Sequence, residues 1–189
     1  LSAHKMHGPK GVGALYVRKG VRLEPLIHGG GQESGLRAGT ENVPGIAGFG
    51  KACELAQARL PEMARVQELR DSLQAGILRL MPGARVNGHL VNRLPNTLNV
   101  TLPRLRGESV VLHMSRLGVA LSSGSACKSG SPDPSHALLA MGLSPEDAHC
   151  ALRFSLAHDS TEAGVELAIE CLDRIIRESR NSVRFVPCR

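Results

Sequence analysis

The stretch LPNTLNVTL at residues 94–102 alternates apolar and polar side chains, and its apolar positions are Leu94, Leu98, Val100 and Leu102. A period of two residues predicts a β-strand that buries one face and leaves the other polar. The stretch CALRFSL at 150–156 has the same pattern. In this second strand Arg153 lies on the polar side, where a planar guanidinium either pairs with an acid or binds a carboxylate.

Helical segments alternate with these strands. Between them we predict helices over 108–117 and 134–141, each followed by a glycine, and a short strand over 119–122. Ser144 before a proline is typical of a further helix start. From residue 83 onward the order is strand, helix, strand, helix, strand, helix, which indicates a compact α/β or α+β domain.

The remaining helices are predicted from apolar positions that recur at helical spacing. A last helix follows Asp159 and Glu162, which resemble a capping box. Two more helices are predicted before residue 83, over about 44–60 and 62–80. The apolar faces comprise Ile46, Phe49, Cys53, Ala56 and Leu60 in the first helix, Val66, Leu69, Leu73, Ile77 and Leu80 in the second, and Val165, Ile169, Leu172 and Ile176 in the last.

The first 42 residues are richer in glycine. GVGALYV at 11–17 reads as a short buried strand between glycines. The polar run HGGGQESGLRAGTEN at 28–42 is too long for a turn that only connects two elements, so we interpret it as a functional loop.

Composition excludes several classes of protein. The 189 residues carry 42% hydrophobic and 21% charged side chains, which is ordinary for a globular protein and excludes intrinsic disorder. The net charge of +6 admits nucleic acid as a partner, but aromatic residues make up only 2%, so base-stacking platforms are nearly absent. No apolar run is long enough to cross a bilayer, so no membrane partner is expected. The chain opens on Leu1 without a secretory signal pattern, and we expect it to begin inside a larger protein.

The five cysteines form no CxxC pair, which argues against a disulfide framework or a zinc ribbon and favours reduced thiols in the cytoplasm. Cys53 and Cys171 occupy helical positions typical of core cysteines. Cys127 differs, because the run SSGSACKSG at 122–130 offers it no apolar packing. Exposure and the neighbouring Lys128 favour a reactive thiolate, so Cys127 is a candidate nucleophile.

Near the start of the chain, Lys5 is a second candidate for chemistry. A lysine beside a Gly/Pro turn is ordinarily only solvated, but its amine can form a Schiff base with an aldehyde cofactor. Ser2 and His4 offer a hydroxyl and an imidazole that can hydrogen-bond a phosphate. Neither a phosphate-loop nor a dinucleotide-binding glycine pattern is present.

Taken together, these motifs resemble the cysteine desulfurases, pyridoxal-phosphate enzymes of the class V aminotransferase family. The resemblance covers essentially the whole chain and rests on the segments SAHKMHGPKGVGALYVR at 2–18, HGGGQESGLRAGTENVP at 28–44, PNTLNV at 95–100, SSGSACKSG at 122–130 and LRFSL at 152–156. The long loop around Cys127 is similar to that of the group that serves iron–sulfur cluster assembly and nitrogenase maturation.

The resemblance implies a role for each candidate. Lys5 matches the Schiff-base lysine that binds pyridoxal 5'-phosphate, and Ser2 and His4 match phosphate ligands. Thr40 matches a threonine that reaches the phosphate bound in the other subunit of a homodimer. Arg153 matches the arginine that holds the carboxylate of the L-cysteine substrate. Cys127 matches the nucleophile that accepts sulfur as a persulfide, and it is also a possible transient iron–sulfur ligand; no other metal ligand is assigned.

The resemblance also implies an architecture: the C-terminal portion of a fold type I pyridoxal-phosphate enzyme, of class α/β. Residues 1–60 would end the large domain, 61–82 would form a connecting helical segment, and 83–189 would form the small domain with the cysteine loop. Because family members begin well upstream of the lysine, we expect the chain alone to have little or no desulfurase activity. The sulfur acceptor would be an iron–sulfur scaffold or another protein.

Three other interpretations remain open from the sequence. One is a selenocysteine lyase or another class V relative, which the SSGSAC loop disfavours. Another is a non-catalytic module that docks a scaffold protein, for which Cys127 would be dispensable. The third is a thiol redox or metal-binding protein, which the cysteine spacing opposes.

Overall fold

The computed structural model of the chain describes residues 1–124 and 133–181. The chain divides into two compact units, Leu1–Pro61 and Glu62–Arg189. The first unit contains one α-helix, α1 (Val43–Ala58), and short 3-10 turns at Ala3–Met6 and Gln32–Gly35. A third 3-10 turn, Leu60–Glu62, leads into the second unit.

The second unit contains five helices and four strands in its described part. The helices are α2 (Met63–Leu80), α3 (Gly107–Arg116), α4 (His136–Ala140), α5 (Pro145–His149) and α6 (Glu162–Asn181). The strands are β1 (Arg85–Val86), β2 (Thr97–Thr101), β3 (Ser122–Ser123) and β4 (Ala151–Ser155).

A four-stranded antiparallel sheet in the order β1-β2-β4-β3 forms the centre of this unit. The register sets Asn99 of β2 opposite Arg153 of β4, and Arg153 in turn opposite Ser122 of β3. Residues that pair across antiparallel strands point to the same face of a sheet. Asn99, Arg153 and Ser122 therefore form a polar row across three strands.

The opposite face of the sheet is apolar and is covered by helices. Leu98 and Val100 of β2 are fully buried with Leu152 and Phe154 of β4. They pack in one continuous core with the apolar stripes of α2, α3 and α6. Gly76 of α2 lets α6 come close, because a methyl group at this position would lie 2.4 Å from Ile169 Cδ1.

The sequence predicted this second unit well. The structure confirms β2, β4, the helices α2, α3, α4 and α6, and the serine cap of α5, where Ser144 Oγ accepts a hydrogen bond from the Asp147 amide (3.1 Å). The capping box at Asp159 is wrong, because Thr161 Oγ1 accepts from the Gly164 amide and thereby caps α6. The strand predicted at 119–122 is shifted to Ser122–Ser123.

Predictions for the first unit were less accurate. The strand predicted at 11–17 is wrong: only one isolated bridge, Ser2 with Gly13, forms there, and Leu15 and Tyr16 are 77% and 84% exposed. A strand needs a hydrogen-bonded neighbour along its length, and among the described residues the start of the chain pairs with this segment only as far as Ala14.

The apolar face predicted for α1 is also mostly wrong. Phe49 is buried, but Ile46, Leu60 and Cys53 are exposed, so Cys53 is not a core cysteine. Cys171 is buried as predicted. The small residues Gly45 and Ala52 are buried instead, together with Phe49.

Two leucines of the second unit should differ sharply in how much free energy of unfolding is lost when each is replaced by alanine. Leu98 is fully buried in the sheet, whereas Leu112 of α3 is about half exposed. Replacing Leu98 with alanine leaves a cavity and is expected to lower the free energy of unfolding by about 2–5 kcal/mol. The matched change Leu112→Ala should cost less than about 1 kcal/mol. Urea unfolding of both variants measures the difference, and equal losses would contradict the assigned core.

Candidate active site

Lys5 lies on a tight 3-10 turn at the start of the first unit. The Lys5 amide donates to the Ser2 carbonyl (3.1 Å), and the Gly8 amide donates back to the Ala3 carbonyl (2.9 Å). His7 ends the turn in the left-handed conformation, with φ 64°. Ala3 is fully buried beneath the turn, while the side chains of its neighbours stay accessible.

A short pairing with the following segment fixes this turn. The Ala3 amide donates to the Val12 carbonyl and the Ala14 amide donates to the Leu1 carbonyl, each at 3.1 Å. Gly13 makes the pairing possible, since a methyl group there would lie 2.5 Å from the Leu1 carbonyl oxygen. These two hydrogen bonds thus join the backbone at the start of the turn to the segment that follows it.

The turn brings together three of the predicted site residues: Ser2, His4 and Lys5. Their side chains make no hydrogen bond with any other described residue. A primary amine, a hydroxyl and an imidazole within four residues suit a ligand that has an aldehyde and a phosphate. The donor set therefore fits pyridoxal phosphate.

Thr40 lies on a different loop of the same unit. Gln32 Oε1 accepts a hydrogen bond from the Gly39 amide (3.2 Å), so a side chain at the start of the loop fixes the residue before Thr40. Gly39 has φ +102°, a conformation that favours glycine. Thr40 itself is exposed. The interpretation of 28–42 as a functional loop stays a prediction.

Arg153 lies in the polar row of the sheet in the second unit. Its side chain is partly buried, and its Nε is buried with no hydrogen-bond partner in the described part of the chain. No described acid forms an ion pair with it. The sequence left two roles open for Arg153: an ion pair with an acid of this chain, or binding of an external carboxylate. The described residues supply no acid for the ion pair. The free Nε suits an external carboxylate.

Cys127 lies outside the described residues, and so does most of its loop. The described residues on either side of the gap are anchored. The Gly124 amide donates to the Ala151 carbonyl at the start of β4 (3.4 Å), and a methyl group on Gly124 would lie 3.5 Å from Ser135 Cβ. Gly124 and Ser135, on the two sides of the gap, therefore lie close together.

Sequence reasoning missed a group of hydrogen-bonded polar residues on β2, the strand that pairs with the strand of Arg153. Asn87 Nδ2 donates to Asn99 Oδ1 (2.7 Å) and to Thr101 Oγ1 (2.9 Å), which links β2 to the end of β1. The alternation in 94–102 already placed Asn99 and Thr101 on the polar face. Only the register between strands, which alternation does not specify, shows that Asn99 lies opposite Arg153.

Comparison with known proteins agrees with these features. The sequence model of the aminotransferase class-V family matches residues 1–167. The chain belongs to the aminotransferase class-V family. Enzymes of this family, the cysteine desulfurases among them, depend on pyridoxal phosphate. The resemblance inferred from the sequence is therefore confirmed.

Class V relatives of high identity are cysteine desulfurases. The chain is 52% identical over 186 residues to a cysteine desulfurase of Gluconacetobacter diazotrophicus and covers 46% of it. It is 47% identical to the cysteine desulfurase IscS of Methanosarcina thermophila, again covering 46% of that protein. The chain itself is covered to 98% and 99%. It thus spans about half the length of the curated relatives it matches.

Solved structures of class V proteins confirm the fold. A NifS-like protein superposes with a TM-score of 0.82 at 43% identity, covering 94% of this chain and 45% of that one. A NifS-like protein from Rickettsia africae gives a TM-score of 0.73 at 33% identity, over 83% of this chain and 41% of that one. The expected class, an α/β portion of a fold type I pyridoxal-phosphate enzyme, is confirmed.

The described residues contain neither a candidate membrane helix nor a candidate metal-ligand cluster. No helix among them is both long and apolar enough to cross a bilayer. Within the same residues, no three His, Cys, Asp or Glu side chains cluster as metal ligands.

The lysine turn predicts the effect of a methyl group on Gly13. Gly13→Ala should break the pairing with Leu1, because the new Cβ would overlap the Leu1 carbonyl oxygen. We expect hydrogen-exchange protection of the Ala14 amide to fall at least tenfold. Gly31→Ala is the matched control, since nothing lies within 4 Å of a methyl group there. Unchanged protection in Gly13→Ala would contradict the described pairing.

Proposed function

We propose that this chain is part of a cysteine desulfurase that converts L-cysteine to L-alanine and leaves the sulfur as a persulfide on Cys127. The proposal is supported by family membership, by relatives of 47–52% identity that carry that name, and by the donor set at Lys5. The single observation that carries it is the buried Nε of Arg153, for which residues 1–124 and 133–181 supply no hydrogen-bond partner.

Arg153 would bind the carboxylate of the amino-acid substrate. A guanidinium offers a planar fork of donors that matches the two oxygens of a carboxylate. Burial of Nε without a partner costs free energy in the unliganded protein. A substrate carboxylate that accepts a hydrogen bond from Nε would remove that cost. This favours binding of the carboxylate at Arg153.

Ser2 and His4 would hold the phosphate of pyridoxal phosphate, and Lys5 would hold its aldehyde carbon. When bound, this group supplies an electron sink for the bonds at the substrate Cα. The Lys5 amine, once displaced by the substrate amine, can take and return a proton at Nζ.

Cys127 would accept the sulfur. Its thiolate attacks the sulfur of L-cysteine, the S–S bond forms as the C–S bond breaks, and the electron pair left on carbon is protonated to give L-alanine. Cys127 follows Ser122 by five residues, and Ser122 lies opposite Arg153. Five residues span at most about 17 Å, so covalent length keeps the thiol within reach of a substrate bound at Arg153.

The remaining assignments follow the same proposal. Thr40 would contact the phosphate bound in the other subunit of a homodimer. A protein acceptor, such as an iron–sulfur scaffold, would take the persulfide sulfur. Because a reactive thiolate persists in a reducing compartment, we place the reaction in the cytoplasm.

Replacing Arg153 tests substrate recognition. In the intact enzyme, Arg153→Gln should lower kcat/KM for L-cysteine by a factor of about 30 or more, since truncating one partner of a buried charged pair costs about 2–5 kcal/mol. Arg79→Gln on the exposed side of α2 is the control and should change nothing. Steady-state alanine production measures both. Equal activity of the two variants would remove the main support of the proposal.

Replacing Lys5 and Cys127 separates cofactor binding from sulfur transfer. Lys5→Ala should lose the visible absorption band of the bound cofactor, because the amine that holds the aldehyde is gone. Cys127→Ala should keep that band and lose persulfide formation, and exposed Cys53→Ala should keep both. Absorption spectra and persulfide labelling distinguish the three. The reverse pattern for Lys5 and Cys127 would overturn their roles.

A further inference from the structure

We infer that Asn99 provides a second hydrogen-bond donor for the substrate carboxylate, beside Arg153; the inference rests on the function proposed above. Asn99 of β2 is the direct cross-strand partner of Arg153 of β4. Directly opposed residues on one face have Cβ atoms about 4.5–5.5 Å apart. A carboxylate held by Arg153 on the side of β2 therefore lies within reach of the Asn99 side chain.

The contacts of Asn99 orient its amide group. Asn87 approaches from the β1 side of β2, and its Nδ2 donates to Asn99 Oδ1 (2.7 Å). The backbone strengthens this link, since the Asn87 amide donates to the Asn99 carbonyl (2.9 Å). The Oδ1 end of the Asn99 amide therefore accepts its hydrogen bond on the β1 side of β2, whereas β4 lies on the other side. The Nδ2 donor is left for the side on which Arg153 lies.

The Nδ2 group of Asn99 has no acceptor among the described residues, although Oδ1 is paired. The donor that holds Oδ1 is itself fixed, because Asn87 Nδ2 also donates to Thr101 Oγ1, and Thr101 is fully buried. The Asn99 donor is thus oriented before any ligand arrives, which reduces the entropic cost of binding. An amide N–H and the buried Nε of Arg153 are two unused donors on neighbouring strands.

Two such donors suit the two oxygens of an α-carboxylate. Asn99 would therefore help to select amino acids over the corresponding amines that lack a carboxylate. A hydrogen bond to a charged group changes affinity by roughly 10- to 150-fold. Loss of this bond should weaken carboxylate ligands by that factor and leave amines unaffected.

Binding of two ligands that differ only in the carboxylate tests this inference. L-alanine and ethylamine are titrated against the intact, cofactor-loaded enzyme, and the Kd of each is measured calorimetrically. In Asn99→Ala, the Kd of L-alanine should rise roughly 10- to 150-fold, while that of ethylamine stays within twofold of the wild type.

Asn99→Asp is a second variant. Aspartate keeps the size of the side chain and still accepts the hydrogen bond from Asn87 Nδ2, but it has no donor and carries a like charge. Because that charge also faces Arg153 and repels a carboxylate by itself, this variant supports the inference only together with the selective loss of L-alanine in Asn99→Ala. Our inference predicts a larger loss of L-alanine affinity than in Asn99→Ala. Asn92→Asp, the same change in an exposed loop, is the control and should leave both ligands unaffected.

The outcomes are distinguishable. Wild-type affinity for L-alanine in Asn99→Asp overturns the inference, and so does an equal loss of L-alanine and ethylamine binding in both Asn99 variants. Arg153→Gln, titrated in parallel, separates the two proposals. If it weakens L-alanine while the Asn99 variants do not, the inference alone fails. If it leaves L-alanine binding unchanged, the proposed substrate site fails as well.

Discussion

The antiparallel pairing of β2 with β4 determines where the polar groups of the second unit lie. In the observed register Asn99 faces Arg153 on one side of the sheet, and Leu98, Val100, Leu152 and Phe154 fill the core on the other. A shift of β4 by one residue would exchange the two faces of that strand. It would bury the Arg153 cation among the helices and expose Leu152 and Phe154. The hydrophobic core and the candidate carboxylate site are therefore fixed by the same hydrogen bonds.

Within the described part of the chain, this arrangement leaves the Arg153 Nε buried without a hydrogen-bond partner, which does not stabilise the fold. The surrounding structure tolerates it because the sheet is pinned on the opposite face by α2, α3 and α6. Close packing there extends to Gly76, where a methyl group would lie 2.4 Å from Ile169 Cδ1 of α6. Burial on the apolar face thus stabilises a sheet whose polar face has an unsatisfied Arg153 Nε among the described residues.

The sequence predicted most of the second unit because its strands and helices carry clear periodicities that coincide with burial. It predicted less of the first unit, where Leu15, Tyr16 and Ile46 are apolar but exposed. Periodicity specifies which side chains can be buried, but it does not specify what covers them. The same limit applies to the candidate site: Arg153 stood out as a cation in an apolar strand, whereas Asn99 acquired meaning only from the register. Lys5 was recognised by its motif, and no local physical signal separated it from a solvated lysine.

The neighbouring positions of Gly124 and Ser135 bear on how this protein can change in evolution. Because the connection between them starts and ends at almost the same place, residues can be added or removed without moving either end. The entropy of closing such a connection grows only with the logarithm of its length, so a doubling costs about 0.6 kcal/mol. Natural selection can therefore alter the number of residues in this connection while the four-stranded sheet stays as it is.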